Sequence, residues 1–375
     1  MAEPLRILHV ITTLDVGGAE MHLLSQVRGQ CAAGAAVRVA YLKGHGSLAE
    51  DFRGAGAEWV GQVPVGRAFG LWRHLRWARL VHSHLLKADM LTAPLATLAG
   101  RRACLVSGKH NDEQVLKRPL VSFVHGLLGN LPRRTVVLSD HVGRFVERYG
   151  RVPLSKQRRI YYGLDPAPFE AAARDRAGHR ARLRPALGLA PDDVVFICVA
   201  RFAPQKAHDV LLRALDLARR EAGPKLKLLL VGDDPFGDGR RRAEALAGEL
   251  GLRGAALFTG IRRDVPALLG ASDVFTMASL WEGLGLVFLE AMAADLPVLA
   301  TRVSAVPEVV VEDQTGLLVA PGDPADLARG MVRLARDPAL RERLGREGHQ
   351  RVIARFGLER MVDETLALYR ELARG

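Results

Sequence analysis

Short apolar, β-branched runs alternate with longer segments of helical periodicity along the whole chain. In the first half RILHVIT, AVRVAYL, RLVHSH, CLVSGK and TVVLS read as strands; in the second half VVFICVA, KLLLVG, AALFTG, DVFTMA, PVLAT and GLLVA do. Between them lie segments such as HDVLLRALDLARREAG, where Val210, Leu211, Ala214, Leu215 and Ala218 recur at helical spacing. Strand–helix alternation predicts parallel sheets covered by helices on both faces, and two such series predict two doubly wound α/β domains. RRIYYGLDPAPFEAAARD marks the boundary: a last short strand, then Gly163, Pro166 and Pro168 as breakers. The first Rossmann-like domain is therefore expected over 1–162 and the second over 163–355. The closing segment 356–375 carries Met361, Leu366 and Tyr369 on one stripe, a helix expected to cross back to the first domain. Ligands of doubly wound domains bind outside the carboxyl ends of the strands, so two facing domains would enclose an interdomain cleft.

Composition narrows the class. With 49% hydrophobic and 25% charged residues in 375, the chain is globular and long enough for two cores. No run approaches about 18 apolar residues, which argues against a spanning helix and for a cytoplasmic protein. Cys31, Cys104 and Cys198 lack disulfide or metal spacing, in keeping with a reducing compartment. The net charge of +12 is uneven: residues 1–155 hold 20 Lys+Arg against 11 Asp+Glu, or +9, leaving +3 for the rest. A basic first half suits an anionic partner, whether a membrane surface or a phosphorylated acceptor, or else reflects solvated arginines. RAFGLWRHLRWARLVHSH adds Trp72 and Trp77 among arginines, as an interfacial helix or as an ordinary amphipathic one. Nucleic acid is not expected, because no interleaved aromatics or recognisable motif accompany the charge.

The candidate chemistry centres on SLWEGLGLVFLEAMAADLPVLAT, residues 279–301. Gly283 and Gly285 allow close backbone approach, and a helix start behind them forms a natural phosphate site. Glu290 lies about 6–8 Å further along, roughly the offset from a pyrophosphate to its ribose. Glu282 would face whatever the phosphate carries. The structural alternative makes Glu290 a partly buried helix carboxylate and Glu282 a complement to the helix dipole. Arg201 at a strand end and Lys206 before a helix are two cations able to neutralise a diphosphate leaving group. Gly17 and Gly18 follow the first strand; His84 and His110 each follow a short strand, and His110, between Lys109 and Asn111, is the better candidate for the reacting centre. There is no Asp-x-Asp, P-loop, His-Glu-x-x-His or Cys-x-x-Cys, which favours chemistry without a metal or other cofactor.

Taken in order, DVGGAEMHLL, HSH, KHN, YYGLDPAPF, ARFAPQKAHDVLLRAL, LLLVGDDP, LFTGIRRDVPALLGASDVFTMAS, the Glu-x7-Glu stretch and VPEVVVEDQTGLLVAPGDPADLA resemble the family 4 retaining glycosyltransferases of the GT-B fold. The resemblance covers nearly the whole chain. It implies an N-terminal acceptor domain and a C-terminal nucleotide-sugar domain. Arg201 and Lys206 would bind the diphosphate, with Gly283, Leu284 and Gly285 amides; Glu290 the ribose; Glu282 the transferred sugar; and Ile261 and Arg262 the base. Gly232 would belong to the same donor site, Gly17 and Gly18 would close its phosphate side, and His110 would stand near the anomeric carbon. The implied reaction is metal-independent transfer, with retention, from a UDP-, GDP- or ADP-sugar to a saccharide or lipid-linked acceptor in polysaccharide or lipopolysaccharide synthesis, with the enzyme cytoplasmic or peripheral on the membrane's inner face. Ala200, Ala207, Asp234, Asp295 and Ser304-Ala305 stand where this family usually has glycine. Two other readings are a nucleotide-sugar epimerase of similar fold, which would need no acceptor, and a non-catalytic binder of anionic ligands.

Overall fold

The computed structural model describes residues 3–234 and 237–374, so Pro235 of the LLLVGDDP stretch lies outside it. The chain forms two compact units, one running to Gly163 and resuming at Phe356, the other spanning Leu164–Arg355. The first holds seven parallel strands: β1 (Arg6–Ile11), β2 (Ala36–Tyr41), β3 (Trp59–Gln62), β4 (Leu80–His84), β5 (Leu105–Lys109), β6 (Arg134–Val137) and β7 (Gln157–Arg159). Their order is β3-β2-β1-β4-β5-β6-β7, reversing direction of growth between β1 and β4. The second unit holds β8 (Val194–Val199), β9 (Leu226–Val231), β10 (Ala256–Gly260), β11 (Val274–Met277), β12 (Val298–Thr301) and β13 (Gly316–Val319), ordered β10-β9-β8-β11-β12-β13 and again parallel. Each unit is thus a doubly wound Rossmann-like sheet whose switch point, β1/β4 or β8/β11, is where such folds place ligands.

Every strand expected in the second half forms. β3 was not anticipated, for a local reason: only four residues long, it includes Gly61, whose missing Cβ leaves room for the Trp59 ring (a Cβ there would lie 2.4 Å from Cζ2). The closing helix, Leu358–Arg374, belongs to the first unit. Met361, Leu366, Tyr369 and Leu372 are buried with Ile7, Leu23 and Val27, and Val362 sits against Gly29 where a Cβ would come within 2.4 Å. Burying such a stripe contributes about 1.5–3 kcal/mol per large apolar side chain, ample reason for the helix to dock. Trp72 and Trp77 bound a helix of six residues, and both are partly buried. Trp77 packs on the core with the Arg38 guanidinium 3.9 Å above its ring, while Phe69 of the same stretch is 78% exposed. Among the described residues no helix is long and apolar enough to cross a membrane.

Candidate functional site

In the second unit the expected residues occupy one rim of the sheet, because all lie just past the carboxyl ends of parallel strands: Arg201 after β8, Gly232 after β9, Ile261 and Arg262 after β10, and the Ser279–Gly285 loop after β11. The loops after β8 and β11, flanking the switch point, are tied together. Leu280 N–H donates to the Gln205 carbonyl at 2.8 Å, and Gln205 Nε2 donates to the Trp281 carbonyl at 2.6 Å. Lys206 Nζ donates to Glu282 Oε1 at 2.5 Å, and Ser279 Oγ donates to the same oxygen at 2.6 Å. Glu282 is only 4% exposed, so this is an enclosed cation–carboxylate pair with a hydroxyl attached. The Lys and the Glu that the sequence assigned to diphosphate and sugar are therefore hydrogen-bonded neighbours.

Gly283, Leu284 and Gly285 lead from that pair into the helix Leu286–Ala293. Gly285 takes φ 82°, the region that favours glycine, and a Cβ there would lie 2.5 Å from the Phe288 ring. No side chain caps this helix, so its N-terminal dipole faces the loop. Glu290 is its fifth residue. The side chain is half-buried, and desolvation pushes its pKa up to about 7. Among the described residues no hydrogen bond to that carboxylate is present. Arg201 is exposed and, among the described residues, its guanidinium makes no ion pair. Gly232 is a close-approach glycine: a Cβ would lie 2.0 Å from the Ala200 carbonyl oxygen. Ile261 is 70% exposed, whereas Arg262 forks onto Asp264 at 2.7 and 2.6 Å.

Three of the positions where glycine was expected adopt glycine-like backbone. Ala207 has φ 45°, Asp295 φ 56° and Ser304 φ 46°. An L side chain in that region costs about 1–2 kcal/mol, so the chain tolerates strain on both sides of the switch point.

In the first unit His110, just past β5, is buried and has both ring nitrogens engaged: Nε2 with His84 Nδ1 at 2.9 Å and Nδ1 with the Tyr162 hydroxyl at 2.8 Å. Burial, helped by the Lys109 cation, lowers its pKa to about 3, so the ring is neutral. Gly17 caps the helix Gly18–Ala32, and Glu20 folds over it where a Cβ would be 2.5 Å from Oε2; Gly18 has open space instead. The sequence reading missed a buried ion pair here. Lys109 Nζ lies 2.5 Å from Asp89 Oδ2, both groups almost inaccessible, with Ser83 and Ser107 also donating to Asp89. The available signal was a lysine at the end of an otherwise apolar strand.

Two Rossmann-like units in one chain are the architecture of the GT-B glycosyltransferases. Sequence comparison agrees: residues 16–168 match the model described as glycosyltransferase family 4, and residues 179–351 the one described as glycosyl transferases group 1. The chain is 39% identical over 312 residues to a D-inositol 3-phosphate glycosyltransferase of Saccharomonospora viridis, covering 78% of this chain and 70% of that protein. It is 29% identical over 240 residues to an alpha-D-kanosaminyltransferase of Streptomyces kanamyceticus, covering 63% and 60%. The crystal structure of Anabaena HepE with UDP and glucose superposes with a TM-score of 0.86 at 20% identity, over 98% of this chain and all of that one. The chain belongs to the family 4, or group 1, glycosyltransferases.

Proposed function

We propose that this chain transfers a sugar, with retention and without a metal, from a nucleotide-sugar donor to a saccharide or lipid-linked acceptor in cell-envelope polysaccharide or lipopolysaccharide synthesis. The observation that carries the reading is Glu290, a desolvated carboxylate without a hydrogen-bond partner among the described residues, five residues into a helix whose uncapped start follows a glycine turn. Holding such a group costs free energy that ribose hydroxyls would return. Lys206, Arg201 and the helix start supply positive potential for the diphosphate as the bond from C1 to its oxygen breaks. The departing phosphate oxygen then takes the proton of the acceptor hydroxyl on the same face, which needs no protein base. Glu282, held by Lys206 and Ser279, is assigned to the transferred sugar, and His110 is assigned to the reacting centre from the first unit. HepE binding UDP-glucose favours a UDP-linked donor.

A lipid-linked acceptor is favoured by the helix Pro119–Leu128, where Leu120, Phe123 and Leu127 are 74%, 52% and 61% exposed. They fall at i, i+3 and i+7, and residues 117–159 carry ten Lys+Arg against two Asp+Glu, a face suited to anionic lipid. A phosphorylated cyclitol is the second acceptor reading, from the inositol 3-phosphate relative. Incubation of UDP-sugars with each acceptor class, read by NMR, separates these. An inverted anomeric centre would sink retention, and turnover lost in EDTA and restored by Mg2+ or Mn2+ but not by one equivalent of Zn2+ would sink metal independence. Change in the donor sugar without acceptor would favour the epimerase. Lys206→Ala should weaken donor binding at least tenfold; unchanged binding would remove it from the site.

A further inference from the structure

Beneath the first unit's switch point lies a group of histidines that the transfer reaction does not use. His9 on β1 and His82 on β4 are register partners, and His84 follows two residues on, so strand periodicity puts all three on one face of the sheet. All are at most 2% exposed, and their ligand-type nitrogens lie within 4.8 Å of one another. Each ring has one nitrogen held from outside the trio. His9 Nε2 donates to Gln30 Oε1 at 2.9 Å, His82 Nδ1 pairs with the Tyr369 hydroxyl at 2.5 Å, and His84 Nδ1 pairs with His110 Nε2 at 2.9 Å. That leaves His9 Nδ1, His82 Nε2 and His84 Nε2 without a partner outside the trio. His9 Nδ1 and His84 Nε2 are 2.9 Å apart, while His82 Nε2 is buried with no partner.

We propose that His9, His82 and His84 bind one transition-metal ion of the zinc class as a structural centre of the first unit. Three imidazoles whose outer nitrogens are each fixed by a hydrogen bond form the arrangement that orients histidine ligands at metal sites. A tetrahedral ion with about 2.0–2.1 Å bonds needs neighbouring nitrogens about 3.4 Å apart, so the His9–His84 pair need open by only about 0.5 Å. An orphaned buried imidazole nitrogen is costly without a partner, and the ion supplies one. Burial lowers the pKa of all three rings, His9 to about 4, which keeps them in the neutral form that ligates. A small pocket lined by His82, Gly108, Lys109 and His110 opens on the His82 side of the trio. Gly108 keeps that side open, since a Cβ there would lie 2.9 Å from His82 Nε2. Through Tyr369 the centre ties the closing helix to β4, a role separate from donor binding.

The test uses untagged full-length protein stripped with chelator, then loaded with Zn2+ or Co2+ and passed through gel filtration. One ion per chain should remain, and the Co2+ form should show the intense visible bands of a tetrahedral site. His82→Asn and His9→Gln should abolish retention, Tyr369→Phe should weaken it about tenfold, and His45→Asn, at an exposed histidine, should leave it unchanged. X-ray absorption on the parent covers the case in which a ligand variant fails to fold: three imidazole nitrogens at about 2.0–2.1 Å are expected. No retained ion, retention unaffected by His82→Asn, or a spectrum with fewer than three imidazoles would each overturn the site. Donor thermal shifts on the same samples report the glycosyltransferase reading independently.

Discussion

Donor binding should depend on pH through Glu290. Desolvation raises this carboxyl from 4.5 to about 7, so forming the anion in the ligand-free protein costs about 3 kcal/mol, at 1.36 kcal/mol per pKa unit. If ribose hydroxyls bind the anion, the apparent dissociation constant scales as one plus the protonated-to-ionised ratio. That factor is about 1.1 at pH 8 and about 11 at pH 6, a tenfold loss of affinity over two units. The assay is calorimetric titration with UDP-glucose rather than UDP, because a terminal phosphate titrates near 6 and would add its own slope. Glu290→Gln should bind more weakly at pH 8 and show a flat profile. A second arm follows from linkage. An acid with a raised folded pKa leaves stability untouched below about 4.5, destabilises progressively as pH climbs to about 7, and levels off above. Ligand-free Glu290→Gln should therefore melt higher than the parent at pH 8, by the equivalent of up to about 3 kcal/mol, with the gap closed near pH 4.5. Parent affinity constant between pH 6 and 8, or the same slope in the variant, would refute the reasoning.

Asp89→Asn should destabilise the first unit by about 3–5 kcal/mol, since Lys109 would be left buried and charged. Urea unfolding followed by tryptophan fluorescence reads that unit mainly, through Trp59, Trp72 and Trp77, and the double change Asp89→Leu with Lys109→Met should recover most of the loss. Ala207→Gly should stabilise the second unit by about 0.5–1 kcal/mol, relief of left-handed strain outweighing glycine's greater freedom when unfolded; an unchanged or lower melting temperature would show no strain to relieve.

The two-unit α/β architecture was legible because buried parallel strands are written as apolar runs and their covering helices as 3.6-residue patterns, both local signals. VVFICVA and HDVLLRALDLARREAG are unambiguous at that level, and WVGQ is not, being short and carrying a glycine whose use depends on where Trp59 turns. Arg201, Lys206 and the glycines before the helix could be nominated from sequence since each stands at a strand or helix end, which periodicity locates, whereas Gly232, Ile261 and Arg262 came from the family resemblance. Which of them meet could not. That Lys206 closes on Glu282, 76 residues away, follows from β8 and β11 being sheet neighbours, and strand order is a property of the packed sheet. The lone histidines His9, His82, His84 and His110 became neighbours for the same reason: pairing of β1 with β4 and of β4 with β5 fixes their common face, and a helix from the far end of the chain brings Tyr369 to His82. The sequence by itself determined the elements and the chemistry available at their ends. The tertiary structure decided which charges are desolvated and which are paired, because burial and dielectric are set by neighbours distant along the chain.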